Sequence, residues 1–510
     1  MRKDIILALL VSACAFLASS CSLDEKANGF MSTENFYQTE NDALSGLMYA
    51  YAAIPSYKNF SASYLYTLCC PTEEFTLKSD AGSGQHDLDQ LRQDGMTNKE
   101  TKDVFLIAYL VAGRANVLIE NIPNIVMEEK LKNQMLGEAY FLRAYSYFNL
   151  VRLFGSVPLR LESLKDSENI GAPLASIEDI YMKCIIPDLK KAEELMDLEK
   201  RRGRVNKVGA QGLLAEAYLF LASAKESGLD GYSFVDSADN YYALAAQKAK
   251  DVVYPAEANG YGFDESYSNI FNVNDESSPE LIFYTISSIT TVGVKNLAST
   301  LTTPYCNEQS FKVPARYGDI TCYYGWEHVW VEIPFYNSFA DNDLRKDAFF
   351  CTELQVGDNV HSWKNGEKYI NGVVNSGGLC KRPFLAKYLD STSDGDTGNR
   401  HPVVRYSQIL LTYAEASGNT PEGLNALNTV RRRAGLNEYT SSDFADNKAF
   451  RKAVVKERSW ELCYEFHRLY DLRRTKGMEE MAQTYGKTLT KNYYFFQIPQ
   501  EEFDYNLGLK

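Results

Sequence analysis

The stretch GEAYFLRAYSYF (137–148) returns in altered form as LAEAYLFLASAK (214–225). Around the first copy, Leu136, Tyr140, Ala144, Tyr147 and Val151 step by four, four, three and four, which puts them on one face of a helix. Gly155 and Pro158 stop it, so the spacing predicts a helix over 131–154. Around the second copy, Ala210, Leu213, Ala217 and Leu221 form the same kind of face. In both, small alanines sit between aromatic residues and let neighbouring helices approach closely. That is the chemistry of stacked helix pairs, as in tetratricopeptide repeats, although the period here is loose. The expected fold class is mostly α, with tetratricopeptide-like helix pairs forming a curved helical body.

Working outward, helices are also expected at 405–417, 421–433 and 446–474, and TEND (39–42) reads as a capping box ahead of Leu44, Leu47, Met48 and Tyr51. Between 255 and 400 Gly, Asn, Ser, Asp and Pro become frequent and the helical period fades. PELIFYTIS reads as a strand there, and STSDGD and TGNRHP as turns. A long irregular region rich in aromatics inside a helical body is a place for function. It is read as a loop-rich insertion containing short strands.

The N-terminus carries Arg2 and Lys3, then an apolar run over 5–17 that is too short to span a bilayer, then Ala18, Ser19, Ser20 and Cys21. This is a secretory signal, and a Cys at the first mature position resembles the bacterial lipoprotein lipobox. VSAC (11–14) fits loosely too but leaves a very short apolar core, so Cys21 is the expected lipidation site. The expected organisation is a signal peptide over 1–20, a lipidated tether over 21–38, a helical region over 39–254, the insertion over 255–400 and a C-terminal helical region over 401–510, packed as one body.

Composition narrows the function. The chain has 510 residues and a formal net charge of −14, so a nucleic-acid binder, which needs a basic surface, is disfavoured. Ten cysteines are irregularly spaced, with no CxxC or Cys/His ladder, so no metal site is expected and no disulfide pairing is implied. There is no GxSxG, HExxH, P-loop or dinucleotide fingerprint, and no cofactor is expected. Glu457, Glu461 and Glu465 stand at i, i+4 and i+8 of one expected helix, near Arg431–Arg433, Arg458, Arg468 and Arg473–Arg474. Like charges so placed repel unless cations intervene, and a structural ion-pair lattice is the expected role.

Several segments together resemble the SusD/RagB family: FLRAYSYFNLVRLFGSVPL (141–159), GRVNKVGAQGLLAEAYLFLA (203–222), YSNIFNVNDESSPELIFYTIS (267–287), VVRYSQILLTYAEA (403–416), ALNTVRRRAGL (426–436), VVKERSWELCYEFHRLYDLRR (454–474) and FQIPQEEFDYN (496–506). The resemblance covers about 33–507. It implies a surface-exposed lipoprotein of the outer membrane that binds oligosaccharides, or in some members peptides or glycoproteins. It also implies a partner, a SusC-like TonB-dependent barrel, over which the protein sits as a lid, and no catalysis. Asp24, Glu25 and Lys26 resemble the acidic stretch that marks surface export after a lipidated Cys. A surface glycoside hydrolase is the competing class, with carboxylate pairs too plentiful to single one out.

Saccharide binding needs flat aromatic faces beside amides, carboxylates or Arg. The richest source is PYCNEQSFKVPARYGDITCYYGWEHVW (304–330), which supplies Tyr305, Asn307, Arg316, Tyr317, Tyr323, Tyr324, Trp326 and Trp330. Trp326 and Trp330 could instead be i, i+4 partners on a buried helix face. A second source is CCPTEEFTLKSDAGSGQHDLDQ (69–90), with Glu73 and Asp80 as candidates; WKNGEKYINGVVNSGG (363–378) reads equally well as a hairpin.

Overall fold

The computed structural model describes residues 36–54, 62–92, 96–164, 171–286, 310–315, 320–322, 325–390, 398–490 and 493–509. The chain divides into a unit Met1–Gln38, described only from residue 36, and a unit Thr39–Lys510 that carries all that follows. Cys21 lies outside the described residues.

Helices dominate: α1 Glu40–Tyr51, α2 Ala62–Cys69, α3 Lys99–Asn121, α4 Glu129–Phe154, α5 Ile186–Leu195, α6 Lys207–Ser227, α7 Ala238–Val253, α8 Tyr406–Ser417, α9 Pro421–Arg433, α10 Asn447–Glu461, α11 Arg468–Arg474 and α12 Met478–Thr484. Local chemistry starts and stops them. Thr39 and Asp42 form the expected capping box. Asn98, Asn206, Ser237, Thr420 and Asp446 each accept an amide hydrogen bond at a helix start. Gly155 and Gly228, at φ of 72° and 69°, take the left-handed positions that end α4 and α6.

Successive helices pack on one another from α3 through α7, and α7 packs directly on α8, which in turn carries α9 and α10. The insertion is therefore spliced into a continuous helical stack. The alanine-and-glycine chemistry acts where expected: a Cβ on Gly212 of α6 would come within 2.9 Å of Val404 and 3.2 Å of Ile409. The two echoing segments lie on α4 and α6, and each buries its Glu against an Arg, Glu138 with Arg204 and Glu216 with Arg458. The single-face pattern on α4 understates its burial. From Phe141 to Phe154 every residue is buried, because neighbours cover it on all sides, while Leu136 and Tyr140 are only half-buried. Helix α3 is apolar and long enough to cross a membrane by composition, yet its Val104, Phe105, Val111 and Ala115 are buried against other helices.

The insertion opens with β2 Leu281–Tyr284, which pairs antiparallel with β10 Pro402–Arg405 and so ties its two ends together. Between them β3 Phe311–Lys312, β4 Thr321–Cys322, β6 Glu353–Val356, β7 Asn359–Lys364, β8 Glu367–Ile370 and β9 Val373–Val374 form one sheet in the order β9-β8-β7-β6-β3-β4. The segment 363–378 is indeed a hairpin: Asn365 and Gly366 both hold positive φ, 51° and 90°, the two-residue turn that matches strand twist. Trp363 belongs to the insertion's own core with Phe311, Leu354 and three cysteines. The seven cysteines among the described residues are all free and buried.

The region expected as one helix over 446–474 is two, α10 and α11, joined by a bend in which Tyr464 and Phe466 take φ of 63° and 67°. Neither Gly nor Pro marks the break. Cations cause it: Lys387 Nζ donates to the carbonyls of Glu461 and Cys463 at 3.3 and 2.9 Å, and Arg405 Nη2 to that of Glu461 at 2.7 Å. Glu465 thus sits on the bend and not on the helix with Glu457 and Glu461. The lattice forms nonetheless. Arg405 meets Glu280, Glu461 and Glu465 at 2.8, 3.0 and 2.6 Å, and Arg345 and Arg431 meet Glu457 at 2.7 and 2.8 Å. Burial opposes the charge on Glu461, but Arg405, Arg433 and Arg345 hold its carboxyl down to about 2.

Candidate functional site: a tryptophan-bearing ribbon

The strand β1, Phe75–Leu77, pairs antiparallel with β5, Val329–Val331, and Thr76 stands opposite Trp330. Strand alternation does the sorting. Phe75, Leu77, Val329 and Val331 are buried, while Thr76 and Trp330 share the other, half-exposed face. Trp326 and Trp330 are therefore not partners on a helix. Trp330 is a strand residue, and Trp326 lies in the approach to β5 with 40% of its surface exposed.

The surroundings are polar. The Arg382 guanidinium lies 4.3 Å from the centroid of the Trp330 ring, a cation–π contact that fixes the ring plane. The Trp330 Nε1 and His328 Nδ1 atoms are buried with no hydrogen-bond partner among the described residues. The Trp326 and His328 rings lie 5.8 Å apart at 36°. Between them Glu327 holds φ of 50°, a left-handed conformation rare for a side chain with a Cβ, and its carboxylate meets Lys381 Nζ at 2.7 Å. The two halves of the ribbon are laced at its end by the Lys78 amide, which donates to the His328 carbonyl at 2.9 Å. Lys78 Nζ in turn lies 3.0 Å from the exposed carboxylate of Asp80, and that hydrogen bond holds Asp80 below the usual carboxylate range. Beside the Trp330 ring, Glu327, Leu379, Lys381, Arg382 and Phe384 enclose a notch of about 30 Å³, room for one water-sized group.

The structure thus brings Trp326, Trp330 and Asp80 to one surface. Glu73 does not join them: it is buried, with Arg468 Nε and Nη2 at 2.8 and 2.5 Å from its Oε1, and burial is more than offset by that guanidinium, so its carboxyl stays below the usual range. It faces α10 and α11 and not the ribbon. The segment 69–90 is also more ordered than a loop, holding β1 and the helix Ser83–Asp89. Next to Glu73, Glu74 is buried without an ion pair among the described residues. Its Oε1 accepts the Tyr464 amide at 2.9 Å, and burial pushes its carboxyl up to about 8. Tyr305, Asn307, Arg316, Tyr317, Tyr323 and Tyr324 lie outside the described residues. Arg382, Lys381, Glu327 and His328 were not singled out by the sequence. Arg382 reaches Trp330 from beyond the hairpin, and no local pattern connects the two.

A model of the SusD family matches residues 237–510, and a model described as "Starch-binding associating with outer membrane" matches residues 23–219. A SusD-like protein P2 of Formosa agariphila is 24% identical over 528 aligned positions, which cover 99% of this chain and 97% of that one. Among solved structures, a laminarin-binding SusD-like protein superposes with a TM-score of 0.73 at 21% identity, covering 92% of this chain and 98% of that one. The surface glycan-binding protein A of Bacteroides uniformis does so at 0.72 and 19% identity, covering 92% and 99%. At these identities the two structures show a shared fold.

Proposed function

The chain belongs to the SusD family, and from that membership we propose that it captures oligosaccharides on the Trp326–Trp330 surface and delivers them to a SusC-like TonB-dependent barrel in the outer membrane. The observation that carries the reading is the ribbon face itself. A half-exposed Trp330 is held by Arg382, an exposed Trp326 lies four residues before it against His328, and hydrogen-bonding groups of both charges lie along the ribbon at Lys78, Asp80, Glu327 and Lys381. Indole faces cover the C–H surface of a pyranose, and the polar rim takes its hydroxyls. The names of the fold neighbours and the description of the second family model support glycans as the ligand class.

Capture without cleavage fits the carboxylates. Glu280, Glu457, Glu461 and Glu465 form an acidic cluster, and each is buried on a guanidinium. Glu465 and Glu216 line one cavity, but its space of about 30 Å³ is too small for a sugar between two carboxylates. Lipidation at Cys21 would anchor the protein at the outer membrane, facing outward. A polysaccharide panel tests the reading: the protein should retain at least one glycan while releasing no shorter products. Release of products, or no retention by any member of the panel, contradicts it.

A further inference from the structure

A second concavity shares no lining residue with the tryptophan surface. It is a groove of about 700 Å³ between α10, α11 and α12, floored by the end of α6, within the size range of small-molecule sites. Three of the six cations along it are paired with carboxylates, and Lys448 and Lys476 are exposed. Arg451 Nη1 meets Glu226 at 2.5 Å, Lys452 meets Glu480 at 2.9 Å, and Arg468 meets Glu73. Lys456 is different. The residue is half-buried and makes no hydrogen bond or ion pair among the described residues; its Nζ lies 4.9 Å from the Trp460 ring centroid. Burial lowers its pKa and Arg468 adds a second positive charge to its surroundings, while the carboxylates of Glu73 and Glu457 offset part of this from a distance. A desolvated cation with no direct hydrogen bond or ion pair is costly, and an anion supplied from solution lowers the cost.

Two further features shape the ligand. Glu73 is 2% exposed, and while its Oε1 is held by Arg468, its Oε2 is buried with no partner among the described residues. It lines the groove as an acceptor waiting for a hydroxyl. Leu472, Met481 and the half-exposed ring of Tyr485 line it as well and offer an apolar face. A free inorganic anion would satisfy Lys456 but would neither fill 700 Å³ nor donate a hydrogen bond to Glu73.

We propose that this groove is a second binding site, for a carboxylate-bearing saccharide whose carboxylate pairs with Lys456 and whose hydroxyl donates to Glu73 Oε2. The saccharide class rests on the function proposed above; the anionic group rests on Lys456 alone. The test is calorimetry on the full chain in detergent, titrated with D-glucuronate, D-glucose and sulfate. Glucuronate should bind saturably, and Lys456→Met should weaken it by about tenfold or more, the scale of one charge-assisted hydrogen bond. Lys456→Arg should retain binding, and Trp326→Ala with Trp330→Ala should leave it unchanged, which separates this site from the one proposed above. Reductive methylation read by mass spectrometry supplies a test without substitution, since saturating glucuronate should protect Lys456 and not the exposed Lys364. Sulfate or glucose binding as tightly as glucuronate, no saturable glucuronate binding, or unprotected Lys456 each overturns the proposal.

Discussion

Replacing Glu74 by Gln should stabilise the protein, and by more as the pH rises. Glu74 precedes the ribbon strand β1 and anchors it to the body: its Oε1 takes the Tyr464 amide at 2.9 Å and its backbone carbonyl takes the Tyr464 hydroxyl at 3.0 Å. Burial raises its carboxyl from 4.5 to about 8. Between those values the folded protein keeps a proton that the unfolded chain has lost, so stability falls as pH climbs from about 4.5 to about 8 and levels off above. At ~1.4 kcal/mol per unit, the three units between 4.5 and 7.5 amount to roughly 4 kcal/mol. Gln is neutral at every pH, keeps the acceptor for Tyr464 and escapes that loss. Scanning calorimetry at pH 5 and pH 8 should find the variant close to wild type at pH 5 and several degrees more stable at pH 8. A difference between the two proteins that does not change with pH refutes the reasoning, whatever its sign.

Arg405→Met removes the cation shared by Glu280, Glu461 and Glu465, leaving them Arg433, Arg345 and Lys387, and should cost about 3–5 kcal/mol in urea unfolding at pH 7.5, the scale of breaking a buried pair; the deficit should shrink as the pH falls and the carboxylates take up protons. In the wild type, the depressed Glu461 contributes stability above about 4.5 that disappears as pH falls toward 2, visible as acid-side loss of Tm. Gly423→Ala puts a Cβ into the Gly418 carbonyl oxygen and 3.1 Å from that of Ala414, and should lower stability by about 1–3 kcal/mol in the same urea assay. Cys21→Ala should move the protein from the membrane to the soluble fraction, and external protease should degrade the wild type on intact cells.

The helical stack was legible because its signal is local. Spacing of apolar residues, caps at Thr39 and Asn206 and the stop at Gly155 all act within a few residues. The hairpin turn at Asn365–Gly366 was legible for the same reason. The break after Glu461 was not, because it is enforced by Lys387 and Arg405, which lie tens of residues upstream in the chain and adjacent only in space. The placement of Glu73 away from the ribbon was not legible on the same ground: its partner Arg468 comes from the far end of the chain. The tryptophans of the ribbon were found by residue type, but their geometry depends on the pairing of β1 with β5 and on Arg382, neither of which has a sequence signature.

The central claim is that the ribbon face holds the glycan. Once the panel has identified a neutral glycan that the wild type retains, its affinity should be measured for Trp326→Ala with Trp330→Ala beside the wild type, with matching circular dichroism and Tm as the control for folding. Loss of two stacking faces predicts a fall of about tenfold or more. Unchanged affinity in a folded double variant contradicts the account and moves the glycan elsewhere on the protein.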